Sequence, residues 1–317
     1  MTSILLVKTS SLGDLVHNLP VVCDIHRAVP DAAVDWVVEE TYEAIPRLHR
    51  GVRSVIPMSV RRWRKSWWRS ETRSELQAGI ARLRAHRYDA IIDTQGLLKS
   101  ALVARAARGT RYGLDWASAR EPLGWFYDRT FRVPWTMHAV ERNRELAARA
   151  LGYQRVPDVD YGVDARRDAQ RASDRYAVLL HSTSAREKLW REDDWVACAE
   201  WLAKRDTRVV LPWGCAEERA RSERLACRMP HATVPASLSL TEAAGLLAGA
   251  QLVIGLDTGL THLAGALGVP TVAVYVATDP RATGLYGCRR ALNAGRERAA
   301  PSASEVTGCA DAVLGIA

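Results

Sequence analysis

Short apolar runs alternate with amphipathic stretches through both halves of the 317-residue chain, and this alternation restricts its fold more than any other feature. Apolar runs rich in Val, Ile and Leu predict buried strands, whereas apolar residues three or four apart predict helices. The alternation is typical of an α/β protein with doubly wound parallel sheets. The predicted strands are 4–8, 34–38, 53–57, 88–93, 176–180, 208–211, 252–255 and 271–275. The predicted helices are 14–28, 74–86, 97–108, 139–151, 193–204, 216–228, 241–248, 259–267 and 303–316.

The length predicts two domains, at roughly 150 residues per domain. Residues 152–162 are polar and contain two glycines and a proline, so we interpret 153–165 as a linker. It would join an N-terminal Rossmann-like domain, 1–152, to a C-terminal one, 166–317, with the last helix free to pack back on the N-terminal domain. Doubly wound sheets bind ligands at the carboxyl ends of their strands, so we expect a cleft between the two domains.

The net charge of +8 lies entirely in the first half of the chain. Residues 1–150 contain 24 basic and 16 acidic side chains, whereas residues 151–317 contain 20 of each. The densest segment is 61–73, where six basic residues and three tryptophans accompany one glutamate. Guanidinium groups match phosphate and carboxylate oxygens, and indole suits a surface that is half apolar. We expect an anionic amphiphile at a membrane surface, with single-stranded nucleic acid or a solvated loop as alternatives.

Several common classes of protein are not expected. Six cysteines without CxxC spacing predict reduced thiols in a cytoplasmic protein rather than disulfides or a zinc site. The first apolar run stops at Lys8, so a secretion signal is not expected. The uncharged stretch 258–278 contains glycines and Pro270 and predicts a buried helix and strand rather than a membrane span. The DxD pattern at 158–160 lies in the linker, so we expect no metal there.

The turn after the first strand reads Thr-Ser-Ser-Leu-Gly-Asp over 9–14. It has neither the glycines of a dinucleotide-binding turn nor those of a P-loop. It does place Asp14 at a strand-to-helix junction, where a carboxylate either caps the helix or acts as a base facing the ligand. We interpret Asp14 as a catalytic base, which does not exclude capping.

Three turns in the second half contain residues suited to a nucleotide. His181–Lys188 offers hydroxyls, amides and a lysine to a phosphate, or is an ordinary turn. Asp257-Thr258-Gly259 precedes a helix whose amides and His262 could meet an anion, although a buried structural histidine is the simpler alternative. Glu217 and Glu218 could accept hydrogen bonds from a ribose diol, or could only favour the helix dipole.

Together these residues resemble the lipopolysaccharide heptosyltransferases of glycosyltransferase family 9 over nearly the whole chain, and the basic Trp-containing segment resembles the type I branch. The matching segments are 7–14, 35–40, 61–65, 93–101, 115–116, 119–122, 138–142, 212–214 and 257–262. Ser184 stands where the family usually has a second threonine. Tyr-Val-Ala-Thr-Asp-Pro at 275–280 replaces the familiar Tyr-Gly-Pro-Thr-Asp-Pro.

The resemblance implies a GT-B fold, with the acceptor in the N-terminal domain and the nucleotide sugar in the C-terminal one. It implies inverting transfer of L-glycero-D-manno-heptose from ADP-heptose to the first Kdo residue of Kdo2-lipid A in lipopolysaccharide inner-core biosynthesis. Neither an essential metal nor another cofactor is expected, and nucleic acid is not an expected partner. The implied protein is a monomer, peripheral at the cytoplasmic face of the inner membrane.

The resemblance also implies roles for individual residues. Asp14 is implied as the general base. The implied acceptor-binding residues are Ser10, Ser11, Arg61, Arg62, Arg64, Lys65 and Arg120. The implied donor-binding residues are Thr183, Ser184, Lys188, Glu218, Leu238, Asp257, Thr258, Gly259 and His262.

Two alternatives remain open on the sequence. One is a sibling transferase with a different acceptor. The other is a non-catalytic binder of anionic lipid or nucleic acid, which would leave the turn at 257–262 without a role. Thermal stabilisation by ADP is expected of an enzyme and not of such a binder.

Overall fold

The computed structural model describes residues 1–66, 68–163 and 175–315, and of Arg64 only the backbone. The chain divides into two units, Met1–Val163 and Asp164–Ala317, called here the N-unit and the C-unit. Residues 153–163 of the predicted linker belong to the N-unit. Residues 164 and 165, and the start of the predicted C-terminal domain, lie outside the described residues.

A six-stranded parallel sheet in the order β3-β2-β1-β4-β5-β6 forms the centre of the N-unit. Its strands are β1 Ser3–Val7, β2 Ala33–Glu39, β3 Val52–Met58, β4 Arg87–Asp93, β5 Arg108–Leu114 and β6 Arg129–Phe131. Its helices are α1 Leu12–Val16, α2 Leu19–Ala28, α3 Ala44–Arg47, α4 Val60–Ser66, α5 Ser70–Arg84, α6 Leu98–Ala106 and α7 Ala139–Leu151. In the register of the central strands, Val7 pairs with Val37 and Asp93.

The C-unit has a second six-stranded parallel sheet, in the order β12-β11-β10-β7-β8-β9. Its strands are β7 Tyr176–Leu180, β8 Arg208–Val210, β9 Ala232–Thr233, β10 Leu252–Leu256, β11 Thr271–Tyr275 and β12 Ala291–Gly295. Its helices are α8 Glu192–Ala203, α9 Ala216–Ala226, α10 Leu240–Gly249, α11 Gly259–Ala266, α12 Pro280–Thr283 and α13 Ala303–Leu314. The last helix, α13, lies against α8 and the strands β10, β11 and β12 of this unit.

The doubly wound α/β fold predicted from the sequence is confirmed. The central strands are buried on both faces, which is why they are apolar throughout; Ile4, Leu6 and Ile254 have no exposed surface. Numbered from its own first strand, each sheet has the order 3-2-1-4-5-6. The order reverses between β1 and β4 and between β7 and β10, which is where open α/β sheets bind ligands.

The structure differs from the predicted elements in three places. The helix expected at 14–28 is interrupted at His17 and Asn18, because Pro20, in the first turn of α2, has no amide proton to donate to the preceding turn. No helix was predicted in the basic segment, for which a solvated loop was one alternative; residues 60–66 form α4, and Trp63 is buried in the core beside Met58 and Leu83. The strands β5, β6, β9 and β12 were not predicted: β6 and β9 have only three and two residues, β5 contains arginines and glycines, and β12 has one large apolar residue, Leu292.

The chain after α7 is held on the N-unit by one buried arginine. Arg144 donates to both oxygens of Asp24, at 2.6 and 3.1 Å, and to the carbonyls of Val156 and Asp158. Farther along, Asp160 pairs with Arg50. The predicted absence of a metal at the DxD pattern stays a prediction. In the structure, Asp158 helps to hold this segment through its backbone carbonyl and Asp160 through its carboxylate.

Three further expectations concern the whole chain. All six cysteines, each within the described residues, are thiols rather than disulfides. The described ranges contain no helix that is both long and apolar enough to cross a membrane, and the stretch 258–278 forms α11 and β11. Within the same ranges, no group of three His, Cys, Asp or Glu side chains is arranged to hold a metal ion.

Candidate functional site

A chain of hydrogen bonds fixes the turn after β1. Asp93, at the end of β4, accepts hydrogen bonds from the amide of Gln95 at 2.9 Å. The Gln95 side chain in turn accepts from the amides of Thr9 and Ser10, at 3.0 and 3.1 Å. Lys99 donates to the Ser10 hydroxyl at 2.6 Å. The side chain at the end of the fourth strand therefore sets the shape of the turn that follows the first.

Asp14 is the third residue of α1, where it both caps the helix and lies beside a buried lysine. Its Oδ2 accepts hydrogen bonds from the amide and the hydroxyl of Ser11, each at 2.9 Å. Burial raises the pKa of Asp14, but the charge of Lys8, the hydrogen bonds from Ser11 and the charge of Arg120 together bring the pKa below the ordinary aspartate value. The carboxylate is therefore ionised at neutral pH, with hydrogen bonds from described residues on Oδ2 alone.

The lysine beside Asp14 is fully enclosed. Lys8 is 6% exposed, and its ammonium donates to the carbonyl of Thr94 at 2.8 Å and to Asn143 at 3.4 Å. Burial lowers the pKa of Lys8, whereas the charges of Asp14 and Asp93 act in the opposite direction. The N-unit thus encloses Lys8 at its switch point, close enough to Asp14 and Asp93 to interact electrostatically with both.

The structure places Arg120 near Asp14. The cations of α4 lie at the same edge of the sheet, but after β3 rather than after β1. Arg120 is exposed, lies 5.9 Å from the ring centroid of Trp135, and acts electrostatically on Asp14 and Lys8. Arg142 covers the same ring at 3.5 Å, and burial together with Arg120 lowers its pKa to about 10. Ser10, Ser11, Asp14 and Arg120 therefore belong to one site.

The predicted cations of α4 line a surface cavity of about 560 Å³ between α4 and α5. Its lining residues are Arg61, Arg62, Lys65, Ser66, Arg69, Glu71, Thr72 and Glu75. Arg62 is already engaged, by Glu75 at 2.7 Å and by Glu40 at 3.4 Å. The side chain of Arg64 lies outside the described part of the structure. The sequence did not single out Arg69, which the charge run alone could not distinguish from its neighbours.

In the C-unit, the carboxylate of Asp257 contacts two of the other candidate residues, Lys188 and His262, and also Thr278. Asp257 directly follows β10, and its Oδ2 accepts hydrogen bonds from Lys188 at 2.7 Å and Thr278 at 2.8 Å. Its Oδ1 lies 3.2 Å from Nε2 of His262. Burial raises the pKa of Asp257, but the hydrogen bonds from His262, Lys188 and Thr278 outweigh it and hold the pKa far below the usual range. Asp257 is therefore an ionised centre that orients both nitrogen groups.

The turn between β10 and α11 is compact and opens on a helix N-terminus. The Thr261 hydroxyl donates to the carbonyl of Leu256 at 2.6 Å and lies 3.1 Å from the hydroxyl of Thr258. A side chain at Gly255 would collide with the Thr261 hydroxyl. The first amides of α11, from Gly259 onward, have no partner within the helix and favour an anion. Because Lys188 and His262 both contact Asp257, both lie at this end of α11.

The remaining donor candidates follow the neighbouring strands. Thr183 and Ser184 lie in the turn after β7, where Thr183 Oγ1 accepts the Ala185 amide at 3.4 Å and Ser184 is exposed. Glu218 Oε2 accepts the Gly214 amide at 2.7 Å, which closes the turn after β8. Leu238, after β9, is partly buried. The strands run side by side in the order β10-β7-β8-β9, so these turns share one edge of the sheet.

Sequence reasoning missed several groups that build these sites. In the N-unit they are Lys8, Asp93, Gln95 and Lys99, although the segments 7–14 and 93–101 had carried the resemblance. In the C-unit, Thr278 contacts Asp257 and lies in the segment that departs from the family pattern. Tyr275 is fully buried, and burial and the charge of Asp257 raise its pKa well above the usual value.

Comparison with known proteins supports the resemblance. The family model described as glycosyltransferase family 9 (heptosyltransferase) matches residues 78–310. Lipopolysaccharide heptosyltransferase 1 of Pseudomonas aeruginosa is 47% identical over 289 residues, which cover 90% of this chain and 81% of that protein. The solved structure of E. coli heptosyltransferase WaaC with ADP has a TM-score of 0.91 at 41% identity, covering 98% of this chain and 100% of that one. The solved structure of E. coli heptosyltransferase WaaC with ADP-2-deoxy-2-fluoro heptose has a TM-score of 0.87 at 40% identity. The match covers 97% of this chain and 98% of that one.

The Asp257 carboxylate predicts a pH-dependent contribution to stability. Because its folded pKa is depressed, the contribution is complete above the ordinary aspartate pKa of about 3.9 and is lost as pH falls toward the folded value. We expect Asp257→Asn to lower Tm by about 4 °C or more at pH 7 and by less at pH 3, by differential scanning calorimetry. Asp31→Asn, at an exposed carboxylate, is the control and should change Tm by less than about 1 °C. An equal loss at both pH values in Asp257→Asn would contradict the assigned ionisation.

Proposed function

The chain belongs to glycosyltransferase family 9, the heptosyltransferases, and from this premise we propose that it transfers L-glycero-D-manno-heptose from ADP-heptose to the first Kdo residue of Kdo2-lipid A. The observation that carries the proposal is the Asp257 centre, which holds Lys188 and His262 at the N-terminus of α11. A diphosphate is the ligand that this arrangement of amides and side-chain nitrogens suits best.

The donor proposal follows the four turns along one edge of the C-unit sheet. The related E. coli protein was solved with ADP and with an ADP-heptose analogue, which supports the same ligand here. We assign the diphosphate to Lys188, Thr183, Ser184 and the first amides of α11, including those that follow Thr258. Glu218 uses one oxygen on Gly214, which leaves the other for a ribose hydroxyl, and Leu238 offers the base an apolar contact.

The acceptor proposal rests on the N-unit, which contains the excess of positive charge. Kdo carries a carboxylate, and lipid A carries phosphates on an apolar body. Arg120, Ser10 and Ser11 surround the Asp14 turn and suit the sugar acid, because a guanidinium and hydroxyls match carboxylate oxygens. The cavity lined by Arg61 and the other α4 cations suits the phosphates. An acceptor of this kind places the enzyme at the membrane surface, at the cytoplasmic face of the inner membrane.

Asp14 acts as the general base in the proposed mechanism. The Kdo hydroxyl loses its proton to the Asp14 carboxylate as its oxygen bonds to the anomeric carbon of the heptose. The bond from that carbon to the diphosphate breaks on the opposite face, so the configuration inverts and ADP leaves. A base with a depressed pKa takes a proton only as the hydroxyl becomes acidic, so proton transfer and bond formation occur in the same step.

The negative charge that develops on the leaving ADP is stabilised by groups that are already oriented before the reaction. Lys188 and His262 are held by Asp257, and the amides of α11 point along the helix axis. Such preorganised donors stabilise a developing anion without reorganising. The proposed reaction therefore needs no metal ion.

Release of ADP from ADP-heptose, measured with and without Kdo2-lipid A, tests the function as a whole. We expect release that depends on the acceptor and a product heavier by one heptose in mass spectrometry. A heptose found on a different acceptor would favour the sibling transferase. ADP release that never depends on an acceptor, with no glycosylated product, would overturn the proposal.

Substitution of the proposed base separates catalysis from binding. Asp14→Ala should lower kcat by about 100-fold or more, because the general base is lost, and leave the affinity for ADP unchanged. Asp14→Asn keeps the shape of the side chain and should lose as much activity. Asp31→Ala is the matched control at an exposed aspartate and should retain full turnover. A turnover of Asp14→Ala close to that of the unaltered enzyme would remove this residue from the mechanism.

The cations of α4 should act on the acceptor alone. Arg61→Ala combined with Lys65→Ala is expected to raise the KM for Kdo2-lipid A by about tenfold, because phosphate contacts to charged groups are lost, with ADP affinity unaltered. Arg73→Ala, an exposed arginine of α5 that does not line the cavity, serves as the control. Steady-state kinetics with each substrate varied in turn measure both constants. A weakened affinity for ADP with an unchanged acceptor KM would contradict the assignment.

A further inference from the structure

Exposed large apolar side chains are concentrated in the N-unit. Of the ten recorded among the described residues, nine lie there and one, Leu292, lies in the C-unit. The nine are Met1, Trp68, Leu76, Leu98, Leu102, Trp116, Trp125, Trp135 and Val156. A scattered exposed leucine is ordinary, but an excess on one unit, with tryptophans among its most exposed members, indicates a surface that is covered in use.

Four of these side chains lie on two segments that pack against each other. Leu98 and Leu102 are one helical turn apart on α6 and are 48% and 54% exposed. Trp116 and Trp125, 58% and 83% exposed, lie on the segment after β5 with their rings edge to face at 6.0 Å. We call Leu98, Leu102, Trp116 and Trp125 the α6 patch.

Contacts beneath the α6 patch hold the two segments together. Leu123 and Tyr127 of the segment after β5 are buried against Ala101 of α6. Glu121 accepts a hydrogen bond from the Leu98 amide at 2.5 Å. Buried residues thus anchor the segment, whereas much of the surface of Trp116 and Trp125 remains exposed. Their apolar area is left for a partner.

The charge around the α6 patch identifies the kind of partner. Residues 98–132 contain seven basic and three acidic side chains. Arg105 continues the face of Leu98 and Leu102 on α6 and is exposed, as are Arg129 and Arg132 after the tryptophan segment. Tryptophan favours the interface between water and lipid, and arginine favours anionic headgroups. A second copy of this chain would bring like charges together, so an anionic bilayer fits better.

Two members of the α6 patch, Leu98 and Leu102, lie on the helix that reaches the proposed acceptor site. Lys99 of α6 donates to the hydroxyl of Ser10, in the turn before Asp14. Leu98 and Leu102, on the same helix, are exposed to solvent. A lipid whose acyl chains stay in the membrane would therefore present its sugar close to the Asp14 turn.

We propose that the α6 patch docks the N-unit on an anionic lipid bilayer and so presents Asp14 to an acceptor that remains in the membrane. The inference rests on the proposed function in one respect, that the acceptor is a membrane lipid. The docking proposal is separate from the acceptor contacts proposed above, because no residue of the α6 patch was assigned to bind the sugar or the phosphates.

Flotation with lipid vesicles tests the proposal directly. The full chain should float with vesicles of phosphatidylcholine containing about one third phosphatidylglycerol, and much less with phosphatidylcholine alone. The double variant Trp116→Ser, Trp125→Ser should lose about fivefold or more of the bound fraction. Leu98→Ser with Leu102→Ser, at exposed helix positions, should show the same loss. Leu292→Ser, on the C-unit, is the control and should bind as the unaltered chain does.

Heptose transfer to a deacylated, water-soluble acceptor distinguishes the docking proposal from the proposed enzymatic function. Each α6-patch variant should retain its turnover on that acceptor and lose turnover on the acceptor embedded in vesicles, which also shows that the variant is folded. Vesicle binding unaffected by both double variants would overturn the docking proposal and leave the enzymatic function standing. Absence of transfer by the unaltered chain would overturn the function instead.

Two other partners for the α6 patch, a second copy of this chain and a nucleic acid, can be tested with the same variants. Analytical ultracentrifugation would reveal a dimer that both double variants convert to monomers, in which case the patch is a contact between copies. An oligonucleotide that binds the unaltered chain in place of vesicles, and not the variants, would identify a nucleic-acid surface. Either result overturns the docking proposal.

Discussion

A buried carboxylate at the carboxyl end of the fourth strand organises each of the two units. Asp93 ends β4 and Asp257 follows β10, and these strands hold the same place in their sheets, beside the first strand. A carboxylate enclosed in this way is stable only when hydrogen-bond donors surround it. Each unit supplies those donors from the loops at its switch point, so the carboxylate determines how the loops are arranged.

Asp93 and Asp257 have different hydrogen-bond partners, and this difference suits different chemistry. Tyr127 and the amides of the next turn donate to Asp93, burial raises its pKa, and the lysine of that unit lies close to Asp14 as well. Asp257 instead accepts a hydrogen bond directly from the ammonium group of Lys188. The N-unit therefore holds the ionised Asp14, which we propose as the general base, beside the buried Lys8. The C-unit holds Lys188 at a helix N-terminus, where we propose that the diphosphate binds.

Much of the fold could be predicted from the sequence because the central strands are apolar on both faces. The strands at 176–180 and 271–275 and the helix at 139–151 were predicted to the residue. The strand β5 was missed because arginines and glycines interrupt its apolar pattern, and β12 was missed because Leu292 is its only large apolar residue. The helix of the basic segment was missed because a charge run has no obvious period, although Trp63 marks its buried face.

The candidate sites were predictable where they coincide with local turns, as at 9–14 and 257–262. What the sequence could not reveal are contacts between distant residues. Arg62 is matched by Glu40 and Glu75, so its charge counts for less than the run suggests. Likewise the pKa of Asp14 depends on Lys8 and Arg120, which only the folded N-unit brings near it.

The central claim is that the C-unit binds the nucleotide and the N-unit prepares the acceptor. A crystal structure of this chain with ADP tests it most directly. The account predicts the diphosphate against Lys188 and the first turn of α11, with the ribose toward Glu218. ADP seated among Arg61, Lys65 and Arg69, away from the Asp257 centre, would contradict it.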